Sequence, residues 1–156
     1  MLFVLPLCIY QLESLISEQN TESPALLIII IGAIFFLGGF TILLPTVRRL
    51  IMTGKGTVMP WDPTQTLVIT GLYRHVRNPI ILGVLIIQIG EALLLSSYGI
   101  ALLPLVFFII NTVYFIYSEE PGLEKRFGEA YLEYKRNVPR WIPRLIPWYP
   151  SKDLET

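Results

Sequence analysis

Residues 24–47 form an almost unbroken apolar run, and two more follow at 79–96 and 98–118, with only Ser96-Ser97-Tyr98-Gly99 at the turn between them. The first is long enough to cross a ~30 Å hydrocarbon layer at ~1.5 Å per residue, and the other two are of similar length. They read as membrane-spanning helices, the last two forming a tight antiparallel hairpin. Gly32, Gly38 and Gly39 would let a neighbouring helix approach closely, and Pro45 falls near the end of its run, where a break is tolerable. Residues 1–16 are also apolar, but Pro6, Gln11 and Glu13 interrupt them. With no Lys or Arg before position 48, a signal peptide is not expected; the stretch reads as a short or tilted span ahead of a polar loop at 17–23. After 118 the pattern changes. Leu123, Phe127, Ala130, Tyr131 and Tyr134 recur at helical spacing, with Glu124, Lys125, Arg126, Glu129, Glu133, Lys135 and Arg136 on the other faces, which predicts an amphipathic helix over 121–136. Pro139 and Pro143 end it, and Arg140, Trp141, Arg144 and Trp148 suit an interfacial tail. The expected fold is an all-α integral membrane protein with three to four transmembrane helices plus a C-terminal amphipathic helix. It is one domain over 1–156, with a loop at 48–78 and a C-terminal helix and tail at 119–156.

Composition agrees with this reading. Of 156 residues, 53% are hydrophobic and 15% charged, against about 45–50% and about 25% in a soluble domain. A net charge of zero gives no electrostatic footprint for nucleic acid. A single cysteine, Cys8, and a single histidine, His75, exclude an intramolecular disulfide and argue against a protein-ligated transition metal. Charge also sets the expected orientation. All twelve Lys and Arg residues fall within 48–77 or after 118, and with spans at 24–47, 79–96 and 98–118 both places lie on one side. The positive-inside rule makes that side cytoplasmic, so the loop and the C-terminal segment share a compartment and can meet.

Candidate chemistry gathers at Gly71–Gly83. Arg74, His75 and Arg77 crowd into four positions before Asn78-Pro79 opens the next apolar run. Asn is a favoured helix N-cap, and Pro is favoured at the first helical position. The positive end of that helix would face back toward the cationic loop and suit an anionic group. Glu119-Glu120 stands where the last span ends. One reading makes these acids the start of the next helix, with Pro121 at its first position; the other has them facing a bound cation, or Arg74 and Arg77. The two arginines also fit as anchors for lipid headgroups, His75 as a solvated interfacial residue, and Tyr73 as an interface aromatic or a stacking partner for a planar ligand. Glu91, Gln88 and Asn111, inside the hairpin, read as structural groups hydrogen-bonded between helices. Gly54-Lys55-Gly56 lacks the spacing and strand–helix context of a dinucleotide fingerprint, and no Walker, HExxH or Ser/His/Asp pattern occurs.

The run WDPTQTLVITGLYRHVRNPIILG, followed by EEPGLEKRFGEAYLEYKRNVPRWIP, resembles the isoprenylcysteine carboxyl methyltransferase family, within a wider group of membrane methyltransferases that includes phospholipid N-methyltransferases. The resemblance covers 57–145 and rests on Gly-x-Tyr, Arg-Asn-Pro, Glu-Glu, Phe-Gly-x-x-Tyr and Val-Pro-Arg occurring in order. It implies an integral, multi-pass membrane enzyme using S-adenosyl-L-methionine on the cytoplasmic side, acting on a lipophilic or lipid acceptor (carboxylate, thiol or amine), with no metal. Carried over by position, the cofactor contacts would be Gln65, Thr66, Leu67, Val68, Tyr73, Asn78, Pro79, Ile80, Ile81, Glu119 and Glu120, with Arg74 or Arg77 for a substrate or cofactor carboxylate. No catalytic residue follows from the resemblance. Ile81 replaces an aromatic common in the family, and Phe115 replaces the arginine that eukaryotic members use for the substrate carboxylate, which argues against prenylcysteine as acceptor. Sterol reductases look similar in this region, so a nicotinamide-dependent membrane reductase is the alternative enzyme reading. A non-catalytic membrane protein retaining the fold is the third.

Overall fold

The computed structural model describes residues 4–16, 25–54 and 64–150, and these are helical with no β-strand. The polar loop expected at 17–23, residues 55–63 of the basic connection and the end of the tail from 151 lie outside the described residues. The elements are α1 (Val4–Ile16), α2 (Leu26–Gly54), a 3₁₀ turn (Gly71–Arg74), α3 (Pro79–Leu95), α4 (Tyr98–Tyr114), a π-helical turn (Phe115–Glu119), α5 (Glu120–Phe127) and α6 (Glu129–Asn137).

Two helices are long and apolar enough to cross a membrane: α2, and the continuous 30-residue helix Tyr98–Phe127 that joins α4, the π turn and α5. Only 11% of the most apolar stretch of each is buried, whereas a core helix of a soluble protein is mostly buried. Large side chains such as Leu26, Leu37, Leu44, Leu102 and Ile110 are instead exposed, as a lipid-facing helix requires. α1 and α3, at 13 and 17 residues, are shorter, so two of the three to four expected spans meet the length criterion. α3 begins at Pro79 and α4 at Tyr98, as the sequence predicts. The 24–47 run is extended, because α2 passes through Pro45 without breaking and carries Arg48 and Arg49 on its last turns.

The chain forms two compact units, residues 1–41 with 83–111 and residues 42–82 with 112–156. In the first, α2 and α3 pack through glycine. A Cβ on Gly39 would lie 2.8 Å from both the Gly83 carbonyl oxygen and the Ile87 nitrogen, and one on Gly90 would run into the Phe36 backbone. Gly32 makes a similar approach to Leu94, whereas Gly38 faces open space. Gly90→Ala is therefore expected to force the helices apart and cost about 1–3 kcal/mol, read as a lower Tm in detergent; Gly38→Ala should leave Tm unchanged. Glu13, which interrupts the first apolar stretch, has a structural use. Its carboxylate accepts from the Gly99 N–H at 2.7 Å and from the Ser97 hydroxyl, placing negative charge on the positive end of α4.

The second unit holds the C-terminal part of α2, the 3₁₀ turn, α5 and α6. The amphipathic helix expected at 121–136 is two helices, because Gly128 adopts φ +56°, a conformation that glycine enters without steric cost. The first of these continues the last span rather than starting anew. At the π turn the Glu120 N–H donates to Phe115 five residues back. Such a turn widens the helix just where the Pro121 ring would otherwise meet the carbonyl of residue 117.

Candidate functional site

α6 packs on the 64–77 stretch through a small aromatic core. Tyr131, Tyr134 and Val138 are buried together, with Leu67, Ile69, Leu123, Phe127 and Trp148 against them. Tyr131 and Tyr134, three residues apart, share one face of α6, and Val138 follows its end in extended conformation. The Tyr134 hydroxyl donates to the buried Tyr73 carbonyl at 2.7 Å. The chain after α6 then returns along residues 74–77: the Arg77 N–H donates to Pro139, Arg144 to His75 and Trp148 to Arg74, at 2.9, 2.9 and 3.0 Å. His75 Nδ1 lies 2.8 Å from the Arg144 carbonyl, which can only accept, so that nitrogen carries the proton. The basic stretch and the C-terminal segment meet, as their shared charge pattern leads one to expect.

At their junction sits Glu120, 4% exposed. Arg140 grips it with both ends of its fork, Nε on Oε1 at 2.7 Å and Nη2 on Oε2 at 2.9 Å. Arg77 Nη1 is 2.8 Å from Oε1 and Lys135 Nζ 3.2 Å from Oε2. Burial alone would push the Glu120 carboxyl up, but the Arg140 hydrogen bonds, the Arg77 charge and Lys135 together hold it below its usual range. Three cations around one carboxylate leave no capacity for a fourth.

Glu119 is the opposite case. Five of the nine residues from 119 to 127 are charged, so this part of the helix lies beyond the hydrocarbon-compatible run that ends at Ser118. Among the described residues the Glu119 carboxylate has no hydrogen-bond or ion-pair partner. Burial lifts it to about 7, against a downward pull from Arg126 and a further upward push from Glu120. Its charge also reaches the Tyr73 hydroxyl, which burial first and Glu119 second push up. Nearby in the chain, the Thr70 hydroxyl and Arg77 Nε are buried without a hydrogen-bond partner among the described residues. The pair thus splits into a saturated carboxylate and one with no ion-pair partner among the described residues, felt only at longer range by Arg126.

The other sequence-predicted positions divide the same way. Pro79 is fully buried and Val68 nearly so, and Leu67 packs on the aromatic core. Gln65 and Thr66 are exposed, but their N–H groups reach the Gly54 carbonyl at 2.8 and 3.4 Å, and the Thr66 hydroxyl donates to Thr53 at 2.6 Å, tying this strip to the end of α2. The Asn78 carbonyl accepts the first helical bond of α3, from Leu82 at 3.1 Å; Ile80 and Ile81 lie in its first turn, half-buried. Arg74 does not meet the acidic pair: it donates to the Ile69 carbonyl and stacks 4.3 Å from the Tyr149 ring. Tyr131, Tyr134, Lys135 and Arg140 complete the site and are absent from the sequence-predicted set. The tryptophans expected to anchor the tail turn inward, Trp148 onto the aromatic core and Trp141 edge-on to Phe115 at 6.0 Å.

Residues 27–130 match the family model described as phospholipid methyltransferase. The chain is 37% identical over 84 residues to protein-S-isoprenylcysteine O-methyltransferase of Schizosaccharomyces pombe, covering 52% of this chain and 34% of that one. It is 34% identical over 102 residues to methanethiol S-methyltransferase 2 of Bradyrhizobium diazoefficiens, covering 64% of this chain and 36% of that one. The matches thus span about a third of the length of these relatives. No solved structure matches the chain.

Proposed function

The chain belongs to the phospholipid methyltransferase family, and from that premise we propose that it transfers a methyl group from S-adenosyl-L-methionine to a lipophilic acceptor drawn from the bilayer. The observation that carries this reading is Glu119, a half-buried carboxylate with no hydrogen-bond or ion-pair partner among the described residues, beside one that has three cations. A partly desolvated charge without a partner is costly, and a sulfonium or ammonium is the chemistry that would relieve it. Glu119 would hold the cationic side of the cofactor, Tyr73 would border it, and the N–H groups of Ile80 and Ile81 at the start of α3, ahead of the first intrahelical bond, suit its carboxylate. When bound, the cofactor supplies an electrophilic methyl group.

Glu120 does not contact the ligand in this proposal. With Arg77 and Arg140 it fixes the 74–77 stretch and the C-terminal return against each other, which keeps Glu119 and Tyr73 in place. Orientation and exclusion of water would then provide most of the acceleration. The names of the two relatives refer to methylation on oxygen and on sulfur. A carboxylate or thiolate attacks without a general base, which suits a site where Glu120 is saturated and His75 Nδ1 is fixed on a carbonyl. The site faces the cytoplasm if the twelve cationic residues obey the positive-inside rule. The test is to incubate the full chain and methyl-labelled cofactor with host membranes and fractionate the extract. A labelled lipophilic product that disappears with Glu119→Ala is expected. A protein that binds the cofactor yet labels nothing across these acceptor pools would reject the proposal.

A further inference from the structure

α3 carries a second polar feature, in the other unit, unrelated to the acidic corner. Gln88 and Glu91 are 8% and 6% exposed, and Gln88 Oε1 and Glu91 Oε2 have no hydrogen-bond partner among the described residues. Three residues apart, they share a helical face. That face lies beside the α2 contact, which Ile87 and Gly90 make with Gly39 and Phe36. Hydrogen bonds between helices are the ordinary use of such groups, but the structure gives these oxygens none. Asn111, the third polar residue of the hairpin, bonds within its own helix, to Phe107 at 2.8 Å. Both orphaned atoms are acceptors, so neither can satisfy the other while Glu91 is ionised. Buried polar atoms left unpaired destabilise a fold, and an ionisable group inside an apolar bundle points to function.

We propose that Gln88 and Glu91 form a binding site within the apolar unit for the hydrogen-bond-donating head of a lipophilic ligand, an alcohol or a protonated amine. Two unpartnered acceptors on one helical face select a donor, and the apolar helices around them select a hydrocarbon tail. The carboxylate favours an ammonium over a hydroxyl. Two groups kept at a cost in stability for binding should, when replaced by hydrocarbon, give a more stable but unresponsive protein.

The full chain is reconstituted in nanodiscs, and its Tm is measured with dodecanol, dodecylamine or dodecane at equal mole fraction. Dodecanol or dodecylamine is expected to raise the wild-type Tm by about 2–4 °C, and dodecane to leave it unchanged. The Gln88→Leu/Glu91→Leu double variant should melt higher than wild type without ligand and lose the response. Glu91→Gln, which keeps the acceptor but not the charge, should respond to dodecanol and lose any preference for dodecylamine. A double variant that melts lower than wild type, or a wild type that responds to all three probes alike or to none, would overturn the proposal.

Discussion

Glu120→Ala is expected to destabilise the protein by about 3–5 kcal/mol, the scale for removing one partner of a buried ion pair. The loss is large because the carboxylate is 4% exposed and serves Arg77, Arg140 and Lys135 together. Removing it leaves three cations facing one another at the joint between the 74–77 stretch and the C-terminal return. Against a total stability of about 5–15 kcal/mol, many molecules would not hold this unit together. The partners should rank by burial. Lys135, 35% exposed, should cost under about 1 kcal/mol when replaced by alanine. Arg140→Lys keeps the charge but not the fork and should fall between. The pH dependence has a definite sign. The folded Glu120 carboxyl lies below its usual 4.5, so its contribution is present above that value and is lost as pH falls through the depressed folded value. Thermal unfolding of wild type between pH 3 and 6 should therefore show a loss that Glu120→Gln lacks.

Glu119→Gln should do the reverse, sparing the fold and disabling ligand binding. With a folded value of about 7 against 4.5, Glu119 favours the native state below about 4.5, and that contribution is lost as pH rises through 7. The glutamine variant should therefore be at least as stable as wild type at pH 8. A hydrogen bond or contact to a charged group is worth about 1.5–3 kcal/mol, so the variant should bind S-adenosyl-L-methionine about 10- to 100-fold more weakly. Because the wild-type carboxylate ionises near 7, its affinity for a sulfonium should rise about tenfold between pH 6 and 8.

What the sequence discloses follows from how local the cause is. Asn78-Pro79 marks the start of α3 because proline's missing donor costs nothing there. The α3–α4 turn sits at Ser96-Ser97 because the apolar pattern stops and restarts within a few residues. The break at Gly128 is hidden: Leu123, Phe127, Tyr131 and Tyr134 keep helical phase across it, so periodicity alone argues for one helix. The π turn has no pattern of its own, and only Pro121 hints that the helix must widen. Glu120 stands out as an acid at a helix end, and Arg77, 43 residues away, is legible as one of two candidate partners; Arg140, 20 residues on, is not, because it competes with arginines that end elsewhere, Arg74 on Tyr149 and Arg144 on Asn137. Tryptophan near a membrane suggests an anchor by composition, yet Trp148 is needed to cover Tyr134. Tyr131 and Tyr134 were within reach, since their spacing marks one buried face.

Calorimetric titration of S-adenosyl-L-methionine into the purified full chain, at pH 6 and pH 8 and with Glu119→Gln alongside, bears most directly on whether Glu119 awaits a cation. Saturable binding that tightens with pH in wild type, and is weak and pH-independent in the variant, is the predicted result. No binding at millimolar ligand, or equal affinity for both proteins at both pH values, would contradict it.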